Sequence, residues 1–176
     1  MLVVVSGDRP TVACGISASK SLTLVIPWFS ISTPLITVTG VGEVLKVARP
    51  NIKIIGTEPE GAALLSGNDW QPHKIQGWTP DFIPDVMNQA ICDEVLPVSD
   101  TLARDTALSL ARNEGIFCGI SAGATFAAAL KVAETAVKGS SILAMLPDTG
   151  ERYLSTFLFE DIEEGSDEDI LATLNS

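Results

Sequence analysis

The sequence predicts an α/β chain in which helices flank a mostly parallel sheet. Two observations predict it: short β-branched or aliphatic runs alternate with helical stretches after residue 40, and glycine, proline or asparagine punctuates the junctions. Gly42 to Val47 reads as a short helix ended by Arg49-Pro50. Ile52-Lys53-Ile54-Ile55 reads as a buried strand, Ala62 to Leu65 as a short helix closed by Gly67, and residues 67–82 as a loop. Ile91 to Leu96 is a second strand, stopped by Pro97. Ser99 or Asp100 caps a helix with apolar positions Leu102, Ala107, Leu108 and Leu110, which ends at Asn113-Glu114-Gly115. Ile116-Phe117-Cys118 is a short strand end, and an Ala-rich helix opens at Gly119-Ile120-Ser121-Ala122-Gly123 and runs to about Val137. Ile142 to Leu146 is the last strand, followed by the turn Pro147-Asp148-Thr149-Gly150.

Composition divides the 176 residues into a leader of unlike character (1–36), an α/β domain (37–157) and an acidic tail (158–176). Hydrophobic residues make up 46%, enough for a sizeable core. The net charge of −11 removes the basic footprint that nucleic acid requires, and the tail carries −7 of it, which reads as a solvated face. Cys14, Cys92 and Cys118 have no metal-ligand spacing, and with His73 as the single histidine they form neither a zinc site nor a disulfide scaffold. A reducing, cytoplasmic setting is the expectation. Residues 21–42 are uncharged but are broken by Pro27, Pro34, Gly40 and Gly42, so they do not read as a membrane span.

Two helix starts stand where ligands gather in open parallel sheets: Thr37-Val38-Thr39-Gly40-Val41-Gly42 and Gly119-Ile120-Ser121-Ala122-Gly123. By spacing alone they serve either an anion or tight helix–strand packing, and Ser121 also fits an N-cap. The second matches the Gly-x-Ser-x-Gly elbow of hydrolases by letters. His73 precedes Ser121, however, and an elbow serine needs a later histidine. Asp148 and Glu151 read as part of a turn rather than as a catalytic carboxylate pair.

Three segments resemble the C-terminal half of cysteine synthase, the O-acetylserine sulfhydrylase of the fold type II pyridoxal-phosphate enzymes. They are Pro72-His73-Lys74-Ile75-Gln76-Gly77 with Phe82-Ile83-Pro84, then Gly119-Ile120-Ser121-Ala122-Gly123-Ala124, then Pro147 to Thr156 (PDTGERYLST), with Gly56-Thr57-Glu58-Pro59 in its expected place. The likeness covers about residues 37–162. It implies the larger C-terminal half of that fold and pyridoxal 5′-phosphate as cofactor. It also implies conversion of O-acetylserine and sulfide to cysteine and acetate. Ser121 takes the position of the serine that hydrogen-bonds the pyridine nitrogen, or of the residue next to the one that does. Thr37 is the last residue of the family's phosphate cup, and Gln76 and Gly77 fall in the substrate-side loop. A hydroxyl cannot hold the ring nitrogen protonated as a carboxylate would, which suits β-elimination over transamination. The implied partners are small-molecule substrates, a second copy of the chain in a homodimer, and the C-terminal tail of serine acetyltransferase.

The departures are as specific. The family's Schiff-base lysine lies in a Val-Lys-Asp-Arg context, and no Lys-Asp-Arg occurs in this sequence; Lys20 lies in Ala18-Ser19-Lys20-Ser21. No catalytic residue is therefore assigned, and the chain alone is not expected to turn over. Thr33-Pro34-Leu35-Ile36 replaces the glycine-rich part of the cup, and Trp78-Thr79-Pro80-Asp81 replaces the usual Ile-Gly-Ala-Gly of the substrate loop. The abrupt loss of similarity before Thr37 gives the expectation that residues 1–36 come from a truncated gene, a wrong start or retained non-coding sequence. A non-catalytic remnant or binding module of the same family is the alternative, and so is a cystathionine β-synthase-like enzyme.

Overall fold

The computed structural model describes residues 2–6, 9–11, 22–27, 37–162, 165 and 171. Six strands form one sheet in the order β2-β1-β6-β3-β4-β5. They are β1 (Leu2–Ser6), β2 (Arg9–Thr11), β3 (Leu22–Pro27), β4 (Lys53–Pro59), β5 (Glu94–Val98) and β6 (Ser141–Met145). β6, β3, β4 and β5 run parallel, with Val25 opposite both Ile55 and Ala144. β1 is antiparallel to β6 and β2 is antiparallel to β1. The segment set apart by composition as a leader thus contributes three strands to the sheet, and β3 lies at its centre. Lys20, Thr33, Pro34, Leu35 and Ile36 lie outside the described residues.

Both faces of the sheet are covered, and this explains the near-continuous aliphatic runs of its strands. Val25, Ile55, Ile142 and Ala144 point into a core shared with α2 (Asp100–Glu114) and α3 (Ile120–Thr135). Leu24, Ile26, Ile54 and Leu143 point the other way and meet Val38, Met87 and Ile91, beside α1 (Gly42–Ala48). Ser99 caps α2 by accepting the Leu102 N–H at 3.3 Å, and Gly115 ends it in the left-handed conformation at φ 68°. α3 buries every residue from Ile120 to Ala129. Its small side chains let α2 approach closely: a Cβ on Gly123 would meet the Ala107 Cβ at 2.7 Å and the Ala103 carbonyl closer still.

Several local expectations are corrected. Residues 62–65 do not form a helix; a 3-10 turn spans Glu60–Ala62, and turns lead to Gly67 at φ 81°. Pro97 does not stop β5 but sits inside it, tolerated because β5 is an edge strand and a missing N–H there breaks no ladder on the open side. Leu102 is 49% exposed, and the buried stripe of α2 is Ala103, Thr106, Ala107 and Leu110. Leu158, in the acidic tail, is a core residue at 1% exposure, and Asp161 pairs with Arg104 at 2.6 Å. No helix among the described residues is long and apolar enough to cross a membrane.

Candidate functional site

The first N–H groups of any helix lack intrahelical partners. At the start of α3 a distant carboxylate satisfies them: Asp148 accepts the Ser121 N–H at 3.2 Å and the Ala122 N–H at 2.7 Å. The strand end at 117–118 lies antiparallel to this segment, with a bridge between Cys118 and Thr149 and the Gly119 N–H donating to the Asp148 carbonyl at 3.3 Å. Gly119 must lack a side chain, because a Cβ there would collide with the Asp148 carboxylate and the Tyr153 ring. Burial pushes the Asp148 carboxyl above its ordinary value, partly offset by the Tyr153 hydroxyl and the two amides. Burial also pushes the Cys118 thiol up to about 12, with the Asp148 charge adding to it, so this thiol stays neutral.

Ser121, 1% exposed, donates its hydroxyl to the Gln76 carbonyl at 3.1 Å. The fold therefore brings together two residues singled out on the sequence, one from the first turn of α3 and one from the loop after β4. That loop is pinned from behind. The Lys74 N–H donates to Asp100 at 2.9 Å, and the Lys74 ammonium lies 3.9 Å from the centre of the Phe157 ring. Gly77 turns the chain at φ 84°. Thr79 follows at φ 29°, an unusual value for a β-branched residue, with its carbonyl held by Trp70 Nε1 at 3.2 Å.

Thr37 opens a π-helical turn, Thr37–Val41, that leads directly into α1. Its side chain lies outside the described residues. In the same turn Thr39 accepts the Asn88 N–H at 3.0 Å, and a Cβ on Gly42 would meet Ile91 at 2.8 Å. That glycine serves packing. A cavity of about 330 Å³ lies beyond the carboxyl end of β6, between residues 115–118 and 146–149, next to the Ser121 turn.

Sequence reading missed the reach of two buried carboxylates, one at this site and one at the end of β4. Asp148 looked like a turn residue, yet its carboxylate reaches 27 positions back to α3. Glu58, buried at the end of β4, accepts the Leu65 and Ser66 N–H groups at 2.8 and 3.1 Å and the Ser66 hydroxyl, and burial raises its pKa. The available signal was a charged residue closing an otherwise apolar strand.

A buried hydroxyl at a helix start, on the carboxyl edge of a parallel sheet, defines an α/β small-ligand site of the kind that holds cofactors. The family described as pyridoxal-phosphate dependent enzyme matches residues 35–148, and the chain belongs to that family. It is 53% identical over 140 residues to the O-ureido-L-serine synthase of Streptomyces lavendulae, across 80% of this chain and 43% of that protein. It is 44% identical over 123 residues to a cysteine synthase of Staphylococcus aureus, across 70% of this chain and 40% of that protein. Among solved structures, a mutant O-ureido-L-serine synthase with O-ureido-L-serine bound superposes with a TM-score of 0.80 at 48% identity, over 89% of this chain and 48% of that one. A cysteine synthase from Entamoeba histolytica gives 0.73 at 39% identity, over 88% and 45%. The chain thus spans less than half the length of these relatives.

The family's enzymes use pyridoxal phosphate. The residues present fit one edge of that cofactor. A neutral hydroxyl held at a helix start is a suitable donor to a pyridine nitrogen, and Ser121 supplies one. For covalent attachment the fit is poor among the described residues. Lys46 and Lys53 are engaged with Asp93 and Glu94, Lys74 lies over Phe157, and Lys131 and Lys138 are exposed, late in α3 and past its end.

Proposed function

We propose that the chain carries the ring-nitrogen and substrate-loop half of a pyridoxal-phosphate site that performs β-substitution on an O-activated serine. The bound cofactor supplies the electron sink that lets the serine β-substituent leave and be replaced. In this reading Ser121 hydrogen-bonds the ring nitrogen, Gln76 and Gly77 border the substrate, and Thr37 belongs to the phosphate side. The observation that carries it is the Ser121–Gln76 contact, which joins the cofactor-side turn to the substrate-side loop. A hydroxyl has one proton. When Ser121 donates to the ring nitrogen it must release the Gln76 carbonyl, so cofactor binding is coupled to the loop.

Cysteine formation from O-acetylserine and sulfide is one outcome of such a site. Formation of O-ureido-L-serine is the second reading, favoured by the 53% identity to that synthase against 44% to cysteine synthase. An N-hydroxyurea would then replace sulfide as the attacking group. Both require a lysine from beyond the motifs matched here, and this chain alone is expected not to turn over.

Binding is tested by titrating the chain with pyridoxal phosphate while following tryptophan fluorescence, since buried Trp78 lies two residues from Gln76. Saturable quenching is expected, weakened roughly tenfold by Ser121→Ala, the loss of about one hydrogen bond. Quenching that does not saturate, or that ignores the substitution, contradicts the reading. The acceptor is then decided in a longer protein that includes the lysine, by comparing turnover of O-acetylserine with sulfide and with N-hydroxyurea.

A further inference from the structure

The Ser121 hydroxyl meets a peptide plane that a glycine leaves free to turn. The Trp78 N–H donates to the Ile75 carbonyl at 3.2 Å, so Gln76 and Gly77 are the central residues of a turn. Gly77 has φ 84°, and Gln76 is not among the residues with positive φ. That combination is a type II turn. The Gln76 carbonyl, which accepts the Ser121 hydroxyl at 3.1 Å, belongs to the central peptide of this turn, and the Gly77 N–H is the other end of the same plane. In a trans peptide the two point opposite ways. Type I and type II turns differ by a rotation of this plane of about 180° and keep the same closing hydrogen bond. Glycine adopts both signs of φ at the third position without strain.

Once the Ser121 proton is donated to a ring nitrogen, the serine oxygen and the Gln76 carbonyl stand 3.1 Å apart as two acceptors with no proton between them. The loop as a whole is not free to back away. Ahead of the turn, Asp100 holds the Lys74 N–H at 2.9 Å and Ile75 is fully buried. Behind it, Trp78 is buried and the Thr79 carbonyl accepts Trp70 Nε1 at 3.2 Å. Rotation of the central peptide resolves the conflict and leaves both ends in place. It puts the Gly77 N–H where the Gln76 carbonyl was, aimed at the Ser121 oxygen. We propose that the Gln76–Gly77 peptide is a two-position switch: its carbonyl accepts from Ser121 in the cofactor-free chain, and its N–H donates to the Ser121 oxygen when that hydroxyl serves the cofactor. This rests on the reading of Ser121 as the ring-nitrogen partner. Each arrangement gives Ser121 a partner, and in the second the incoming N–H strengthens the hydroxyl as a donor. Gly77 is thereby a positioning residue that acts on the cofactor through Ser121.

Proton–proton contacts read the plane directly. In the present turn the Gly77 amide proton lies near the Gln76 α-proton; after rotation it lies near the Gln76 amide proton. Titrating the chain with pyridoxal phosphate should replace the first nuclear Overhauser contact by the second. It should also slow hydrogen exchange of the Gly77 amide and leave the Trp78 amide unchanged. Saturable binding with the first contact retained overturns the switch and leaves the proposed function standing. Gly77→Ala gives a test without cofactor. Alanine disfavours positive φ roughly tenfold, so the cofactor-free variant should already show the second contact, with the residue 77 amide protected. Adding Ser121→Ala to it should remove that protection. A Gly77→Ala chain that keeps the first contact, or whose amide is indifferent to Ser121, overturns the switch whether or not cofactor binds. Because the rotation is made in advance, Gly77→Ala should bind pyridoxal phosphate roughly tenfold more tightly, even as its stability to urea falls. A glycine needed only to form the turn would give weaker or unchanged binding, and that result also overturns the proposal. If neither protein binds the cofactor saturably, the reading of Ser121 falls, and the switch falls with it.

Discussion

The Ser121 hydroxyl donates to the Gln76 carbonyl at 3.1 Å, across 45 positions of chain. This bond closes the start of α3 against the loop after β4. Ser121→Ala should therefore leave the Gln76 carbonyl without this donor and cost about 1–3 kcal/mol of stability. Urea unfolding of the two proteins measures it. The slope of the transition should be unchanged, since little extra surface is exposed.

Asp148 makes stability depend on pH in a defined direction. Its carboxyl is raised in the folded state, so the folded chain binds the proton more tightly than the unfolded chain. Its contribution is complete below the ordinary carboxylate value and is lost as pH rises through the raised value. Stability should fall across that window in the wild type. Asp148→Asn should remove this part of the slope, as read from denaturant midpoints against pH.

Asp93 acts in the opposite sense. Burial alone would raise it, but the Ile54 N–H at 2.7 Å and the Lys46 ammonium at 2.6 Å outweigh this and hold it below its ordinary value. Its contribution is present above the ordinary carboxylate value and is lost as pH falls through the lowered one. Asp93→Ala should cost roughly 1–2 kcal/mol at neutral pH, discounted because the pair is partly exposed, and distinctly less in acid. Thermal midpoints at the two pH values check this.

Gly123→Ala should destabilise the chain by about 1–3 kcal/mol, because the new methyl has no room against the Ala103 carbonyl and Ala107 of α2. The same change at Gly67, an exposed turn glycine at φ 81° where a Cβ meets nothing within 4 Å among the described residues, should cost only the backbone strain of its left-handed conformation, with no packing term. Calorimetric unfolding of both variants separates packing from any general effect of losing glycine.

Much of the fold was legible because its signals are local. Ser99 and Gly115 bracket α2 in sequence as in structure, and the β-branched run Ile52-Lys53-Ile54-Ile55 marks a strand buried on both faces. What escaped depends on distant partners. The segment Leu22–Pro27 read only as an uncharged stretch, since its neighbours in the sheet, Lys53–Thr57 and Ser141–Ala144, lie far along the chain. Pro97 read as a stop because edge position is a property of the whole sheet. At the site, the pairing of Ser121 with Gln76 rests on motifs that were visible. The Asp148 cap was not, because no local pattern shows where a turn carboxylate will reach.

The central claim is that Ser121 presents its hydroxyl to the pyridine nitrogen of pyridoxal phosphate. The most direct measurement is the nitrogen-15 chemical shift of ring-labelled pyridoxal phosphate added to the chain. The account predicts a shift typical of an unprotonated, hydrogen-bonded pyridine nitrogen that moves toward the unbonded value in Ser121→Ala. A pyridinium shift, or a signal indifferent to that substitution, would contradict it.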